Sequence, residues 1–286
     1  MNNIKKCYLV VAIASLLLGL NSCNSSKPQF GKTLVPKDSD TLSLQNTKAA
    51  IRKIPNTAFE IGSYSGNQHV PIQYRLMKPK VNNPTKRYPL VIVFHGSGAI
   101  GNDNESQLGL LAKLWAVDSI KKKYPAYVLA PQFTVRSSNY TMDKSRGVLS
   151  SVGQEPLLTV LQLIDSLRSN ANIDDKRIYL LGFSMGASTV MNVLSARPDV
   201  FAAAVSIAGI PQFDKIESLA QKSIWLIHGN HDKENPFESD VQFYSETSMY
   251  DKTLFWEMDA LAHNDILSTQ LLGEAIPKWL FLFRNP

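Results

Sequence analysis

A serine flanked by two glycines, near the middle of the chain, is the first candidate for chemistry. Ser184 lies between Gly182 and Gly186, directly after the apolar run 178–181. Glycine lacks the side chain that would collide where a strand turns sharply into a helix, so the pattern predicts a strained turn that exposes the serine hydroxyl. The N-terminal amides of the following helix favour negative charge beside it. We therefore predict that Ser184 is a nucleophile; the alternative is an ordinary turn.

A serine hydroxyl needs a base within hydrogen-bond reach at neutral pH. The chain offers five histidines: His69, His95, His228, His231 and His263. His95 and His228 each precede a glycine at the end of a predicted strand, where we expect a local structural hydrogen bond. His69 lies far upstream, and His231 is the sequence neighbour of the candidate acid, which makes a productive geometry awkward. His263, in the loop after the last predicted strand, is the predicted base.

An acidic residue must then hold the imidazole in one tautomer. Asp232 follows the predicted strand 223–228, whereas Asp259 and Asp265 share the loop of His263. Choosing Asp232 gives the chain order serine, aspartate, histidine, one of the orders in which such triads occur. We predict Asp232 as the acid; a surface aspartate in a turn is the alternative.

Charge that develops on a reacting carbonyl oxygen needs two preset amide donors. The apolar strand 90–94 ends in a small-residue turn that contains Ser97 and Gly98, where backbone amides can approach a ligand closely. We predict an oxyanion hole made by the amides of Ser97 and Met185, with Gly98 as the alternative to Ser97.

Strand-like and helix-like stretches alternate from residue 58 to the end of the chain. This alternation predicts an α/β domain, in which parallel strands are joined by right-handed crossovers and helices cover both faces of the sheet. Ligands in such sheets bind at the carboxyl ends of the strands. The polar stretch 134–153 is long for a connection; it either overhangs the site or is a surface loop.

The N-terminal segment has the composition of an export signal. Residues 1–22 combine Lys5 and Lys6 with an apolar stretch, and Cys23 follows directly. This arrangement resembles a bacterial lipobox, so we predict a signal peptide over 1–22 and lipid attachment at Cys23; an ordinary cleaved signal with an incidental cysteine is the alternative. The polar stretch 23–55 is predicted to be a tether, of which residues 42–54 are either free or lie against the domain, and 56–286 is predicted to be the catalytic domain.

Composition excludes several other classes. The chain has 286 residues and a formal net charge of +6, but its basic residues are spread along the sequence, so we expect no nucleic-acid partner. Its two cysteines, Cys7 and Cys23, both precede the predicted domain and cannot form a disulfide framework within it. We expect no metal and no organic cofactor, because histidine and acidic residues are not at ligand spacing on one helix.

Several stretches together resemble the α/β-hydrolase superfamily, and within it the carboxylesterase, feruloyl-esterase and dienelactone-hydrolase-like branch. The resemblance is carried by residues 91–98, 101–104, 129–132, 182–186 and 227–229, with Asp232 and His263. It implies a mostly parallel central sheet of about eight strands flanked by helices. It also implies ester hydrolysis through a serine acyl-enzyme, with Ser184, Asp232 and His263 in the family's three roles. Ala187 and Ala262 stand where the branch commonly has glycine.

The expected protein is thus a carboxylesterase that is exported and lipid-anchored to a bacterial cell-envelope membrane, on its periplasmic or surface face. Its expected substrates are small-molecule or glycan-linked esters. A serine peptidase or thioesterase with the same triad, and a lipoprotein that binds ligands without catalysis, are the alternatives.

Overall fold

The computed structural model describes residues 29–286 apart from 67–70, 81, 82, 84, 170 and 171. The predicted signal segment 1–22 and the candidate lipidation residue Cys23 lie outside the described residues. Within the described ranges, no helix combines the length and apolar character needed to cross a bilayer.

One large sheet organises the chain. Its strands are β1 (Gly31–Val35), β2 (Glu60–Tyr64), β3 (Ile72–Met77), β4 (Tyr88–Phe94), β5 (Tyr127–Gln132), β8 (Ile173–Phe183), β9 (Ala203–Ile207), β10 (Ser223–Gly229) and β11 (Thr253–Met258), and a separate hairpin holds β6 (Ser138–Asp143) and β7 (Val148–Gly153). The nine strands lie in the order β1-β11-β10-β9-β8-β4-β5-β3-β2. Pairing is parallel except at β2–β3 and β3–β5. The predicted mostly parallel sheet of about eight strands is confirmed, and the described residues form nine.

Helices cover both faces of this sheet. They are α1 (Thr41–Arg52), α2 (Leu110–Leu114), α3 (Asp118–Lys123), α4 (Pro156–Arg168), α5 (Met185–Ala196), α6 (Ile216–Leu219), α7 (Glu238–Thr247) and α8 (Ala275–Leu280). Strand β4 shows why two layers are needed, because all seven of its residues are buried. Val91 and Val93 pack in one apolar cluster, whereas Leu90, Ile92 and Phe94 pack in the other. Successive side chains of a strand point to opposite faces, so a continuous apolar run requires cover on both sides.

The predicted tether over 23–55 is corrected by β1, whereas α1 covers most of the part expected either to be free or to lie against the domain. Strand β1 adds a parallel edge to the sheet, with Gly31 opposite Leu254 and Val35 opposite Met258. Helix α1 follows, capped by the carboxylate of Asp40, and buries Ile51 against the domain. Residues 31–52 are therefore part of the folded domain, whose boundary lies well before residue 56. The strand was missed because its three central residues are exposed and its hydrogen bonds come from β11.

The stretch 134–153 forms the β6–β7 hairpin, which packs on α5. Ser137 and Ser138 place their hydroxyl oxygens 2.7 and 3.1 Å from the hydroxyl of Thr189, and the Asn192 amide donates to Ser138 at 3.0 Å. The hairpin is thus hydrogen-bonded to the helix that begins after Ser184. Residues lining the cavity at that serine come from other described segments.

Candidate active site

Ser184 lies at the turn between β8 and α5 in a backbone conformation that side-chain-bearing residues rarely adopt. Its φ and ψ are 56° and −123°, which indicates local strain of the kind found at nucleophile elbows. The flanking glycines are required sterically. A Cβ atom at Gly182 would collide with the carbonyl group of Gly186, and one at Gly186 would collide with the carbonyl oxygen of Phe94. The turn predicted from the sequence is present.

The structure brings the three predicted side chains together. The Ser184 hydroxyl lies 2.8 Å from Nε2 of His263, and Nδ1 of the same ring lies 2.6 Å from Oδ2 of Asp232. With a neutral imidazole, Nδ1–H donates to the carboxylate and Nε2 accepts from the hydroxyl. This is the geometry that activates a serine. The other two candidate acids, Asp259 and Asp265, are exposed.

Asp232 is held on both of its oxygens. Oδ1 accepts hydrogen bonds from the amides of Glu234 at 2.9 Å and Asn235 at 3.0 Å, while Oδ2 faces His263 and His228. Burial opposes ionisation of this carboxyl group. The hydrogen bonds from His228, His263 and the Asn235 amide outweigh burial and lower the pKa of Asp232 well below its usual value.

A second histidine, His228, also contacts the candidate acid. Its Nε2 lies 3.2 Å from Oδ2 of Asp232 and 3.0 Å from the carbonyl oxygen of Asn235, and its Nδ1 lies 2.7 Å from Oδ2 of Asp240. The side chains of His228, Asp232 and Asp240 have no solvent exposure. Sequence reasoning gave His228 only a local structural hydrogen bond. The four-residue separation of His228 and Asp232 at one strand end is the sequence signal from which their contact could have been predicted.

The amides predicted for an oxyanion hole lie beside the serine. Ser97 and Gly98 begin a short 3₁₀ turn, Ser97–Ala99, and line the same cavity as Ser184. Met185 is the first residue of α5, where backbone amides have no partner within the helix. Among the described residues, the amides of Ser97, Gly98 and Met185 donate to no acceptor. Ser97 and its alternative Gly98 both remain candidates.

His95 supports the turn that carries these amides. Nδ1–H donates to the Gly96 carbonyl at 2.8 Å, and Nε2 accepts from the Phe133 amide at 3.0 Å. Burial lowers the pKa of His95 more than the hydrogen bond to Gly96 raises it, so the ring is neutral at pH 7. His95 therefore has the structural hydrogen-bonding role that the sequence predicted.

A cavity of about 320 Å³ opens beside Ser184. Leu110, Leu111 and Leu267 contribute apolar walls, and Glu234 and Asn264 lie at its polar side. The Glu234 carboxylate accepts from the Asn264 amide at 2.9 Å and lies 3.9 Å from Nε2 of His263. The portion of the chain that the structure describes contains no group of three or more acidic, histidine or cysteine side chains placed to hold a metal ion.

Comparison with known proteins agrees with this geometry. Residues 65–254, more than half of the chain, match the model of a family described as "Putative esterase". The chain belongs to this esterase family. A thermostable esterase of known structure superposes on it with a TM-score of 0.72 and 29% identity, over 80% of this chain and 63% of that one. The α/β-hydrolase fold of esterases is thereby confirmed for this family member.

Two curated proteins match shorter regions. This esterase-family chain is 31% identical over 124 residues, or 43% of its length, to poly(3-hydroxyalkanoate) depolymerase C from Paucimonas lemoignei. It is 34% identical over 73 residues, or 26% of its length, to the bifunctional acetylxylan esterase/xylanase XynS20E from Neocallimastix patriciarum. The matches span only 28% and 11% of those two proteins.

Proposed function

We propose that this chain is a carboxylic ester hydrolase that works through a serine acyl-enzyme. One observation carries the proposal: an unbroken hydrogen-bond path runs from the Ser184 hydroxyl through both nitrogens of His263 to Asp232. Each atom on the path has the partner that proton transfer from a serine requires. Membership of the esterase family supports the same reaction class.

In the proposed mechanism, the Ser184 oxygen attacks an ester carbonyl while Nε2 of His263 accepts its proton. Asp232 stabilises the imidazolium that forms. The amides of Met185 and of Ser97 or Gly98 bind the negative oxygen of the tetrahedral intermediate. His263 then gives its proton to the leaving alkoxide. Water repeats the sequence on the acyl-enzyme, releasing the acid and the free serine.

The proposed substrates are esters of short acyl groups on a glycan or another small alcohol. A cavity of about 320 Å³ is at the small end of the range for ligand pockets, and its leucine walls suit an acyl chain. The acetylxylan esterase name of one relative supports a glycan-linked ester. The depolymerase name of the other supports ester bonds more broadly.

The test is hydrolysis of a p-nitrophenyl ester series, from acetate to decanoate, by wild type and Ser184→Ala. We expect the variant to lose at least a thousandfold in kcat, because the nucleophile is absent. Ser166→Ala, at an exposed serine of α4, is the matched control and should match wild type. Equal rates for wild type and Ser184→Ala would refute the proposal.

Two alternatives are compatible with the same triad residues, and two measurements separate them from an esterase. A serine peptidase or thioesterase would cleave peptide or thioester analogues faster than the oxygen ester of the same acyl group. A protein that only binds ligands would leave Ser184 unlabelled by a fluorophosphonate probe. We expect labelling of wild type and preference for the oxygen ester.

We also propose that the protein is exported and carries lipid at Cys23, on the strength of the charged and apolar segment that precedes this cysteine. Expression of the full chain in a bacterial host, followed by detergent phase partition and mass spectrometry of the N-terminus, tests this. Cys23→Ser should abolish the lipid-dependent mass increase, whereas Cys7→Ser should leave the mature protein unchanged. An unmodified mature N-terminus in wild type would favour an ordinary secretory signal.

A further inference from the structure

The buried imidazole of His228 contacts two buried carboxyl groups. One belongs to Asp232 of the Ser184–His263–Asp232 triad, and the other belongs to Asp240, which lies outside it. His228 is the second-last residue of β10, Asp232 lies in the loop that follows, and Asp240 lies in the first turn of α7. Their hydrogen bonds extend the path from the serine by two more residues, so that it reaches a helix that does not line the cavity.

The partners of Nε2 of His228 determine its protonation. The Asn235 carbonyl can only accept, so Nε2 of His228 must carry a proton, which it shares between that carbonyl and Asp232. Nδ1 then faces a carboxylate oxygen of Asp240 at 2.7 Å. The other oxygen of Asp240 is buried and has no hydrogen-bond partner among the described residues. Its hydrogen bond to His228 is therefore the contact that offsets the cost of burying this carboxyl group.

The surroundings favour a cationic ring at His228. Burial disfavours the imidazolium, but hydrogen bonds to Asp232 and Asp240 outweigh it and raise the pKa of His228 to about 9. Asp232 and Asp240 are the titratable groups that face the ring. Beyond Asp232 lies His263, which also has Glu234 at 3.9 Å from its Nε2. A positive charge next to Asp232 partly cancels the field of that carboxylate at His263.

We propose that His228, held by Asp240, is a positioning residue that fixes the Asp232 carboxylate in one orientation and limits how strongly it favours the protonated form of His263. Two opposing demands are met in this way. The amides at Oδ1 and the ring at Oδ2 keep Asp232 directed at His263, while a positive charge on His228 weakens the attraction between Asp232 and a proton on His263. The inference rests on the proposed function, which the Ser184 variant tests separately.

The experiment compares wild type with His228→Gln, Asp240→Asn and the double variant. Glutamine retains a donor for Asp232 but carries no charge, and asparagine retains the size of Asp240. We expect kcat on p-nitrophenyl acetate to fall tenfold to a hundredfold with KM within about twofold of wild type, because without the link between positions 228 and 240 the donor to Oδ2 holds Asp232 less firmly. In His228→Gln, the midpoint of the acid limb of the kcat/KM profile should move to higher pH by about half a unit or more, because the positive charge beside Asp232 is gone.

His231→Gln and Asp251→Asn are matched controls at exposed positions and should reproduce the wild-type profile. Circular dichroism and fluorophosphonate labelling establish that each variant is folded before its profile is read. A loss of thermal stability with an unmoved acid limb would overturn the proposal, because a purely structural residue would behave that way. Wild-type kcat and profile in the variants would overturn it as well. Neither result would change the outcome expected for Ser184→Ala, which tests the proposed function.

Discussion

The ends of β4 and β10 lie on opposite sides of Ser184, and each carries a buried histidine that precedes a glycine. At the end of β4, His95 is neutral and bonds only to backbone groups, Gly96 and Phe133. At the end of β10, His228 bonds to the carboxyl groups of Asp232 and Asp240, which raise its pKa to about 9. The same dipeptide therefore serves opposite electrostatic purposes on the two sides of the site.

The difference follows from what each side holds. The β4 end presents amides, whose dipoles must be oriented before charge develops, and a neutral ring orients them without adding a field of its own. The β10 end holds an ionised carboxylate, whose orientation and charge both affect the neighbouring base. Substitutions at the β4 end and at the β10 end should therefore have different effects on activity and on its pH dependence.

The largest expected effect is at the acid itself. Asp232→Asn should lower kcat about ten-thousandfold, because an amide can hold His263 in the wrong tautomer while leaving its position intact. Asp259→Asn and Asp265→Asn, in the loop of His263, should retain wild-type kcat. A large loss of kcat in either of these two variants, together with an active Asp232→Asn, would show that the acid of the triad lies in the loop of His263. Ester hydrolysis in all three variants is the measurement.

The two histidines should give stability profiles of opposite slope. The folded-state pKa of His228 is raised to about 9, so its stabilisation is fully present below the ordinary value of 6.5 and is lost as pH rises through 9. The free energy of unfolding of wild type should therefore fall relative to His228→Gln between pH 6.5 and 9, by on the order of 2 kcal/mol. Burial lowers the pKa of His95, so wild type should instead lose stability relative to His95→Gln as pH falls below 6.5.

Urea unfolding of the three proteins at pH 5, 6.5, 7.5 and 9 tests both slopes. Parallel curves for wild type and His228→Gln above pH 6.5 would show that the ring is neutral in the folded protein and would remove the contrast between the two strand ends.

A smaller effect is expected at the β4 end. His95→Gln should lower kcat about tenfold, because the Gly96 carbonyl loses its donor and the adjacent amides are held less firmly; loss of a whole oxyanion donor costs about a hundredfold or more. The acid limb of the pH profile should not move, in contrast to the His228 variants. A shifted limb in His95→Gln would show that the two sides are electrostatically coupled.

The smallest effect is expected at Glu234, on the polar side of the cavity. Glu234 is 62% exposed, and its carboxylate lies 3.9 Å from Nε2 of His263. Glu234→Gln should raise kcat/KM for a monoester of a dicarboxylic acid by about twofold to fivefold at low salt, since a like charge is removed in a well-solvated position. Acetate esters and the Asp214→Asn control should change little. Persistence of the effect at 1 M salt would contradict a screened interaction.

The sequence predicted those parts of the molecule in which local chemistry leaves few choices. Gly182 and Gly186 permit one sharp turn, the apolar run in β4 requires cover on both faces, and Asp232 and His263 each follow a strand whose carboxyl end meets the same edge of the sheet. Asp240 could not be predicted, since an acidic residue in the first turn of a helix is normally solvated. Its burial depends on His228, which lies on a different element.

The edge strand was missed for a related reason. Strand β1 carries little apolar sequence of its own, and its existence depends on the exposed backbone groups of β11. The β6–β7 hairpin likewise depends on polar contacts with α5 that no local pattern specifies.

The direction of β1 also bears on how the protein would sit on a membrane. Because β1 is parallel to β11, the chain enters the domain at the amino ends of the strands, whereas Ser184 and His263 lie beyond their carboxyl ends. Eight peptide units separate Cys23 from Gly31, which a fully extended chain covers in at most about 28 Å. The proposed lipid on Cys23 would thus limit the distance between the bilayer and the amino ends of the strands, which lie opposite the cavity at Ser184.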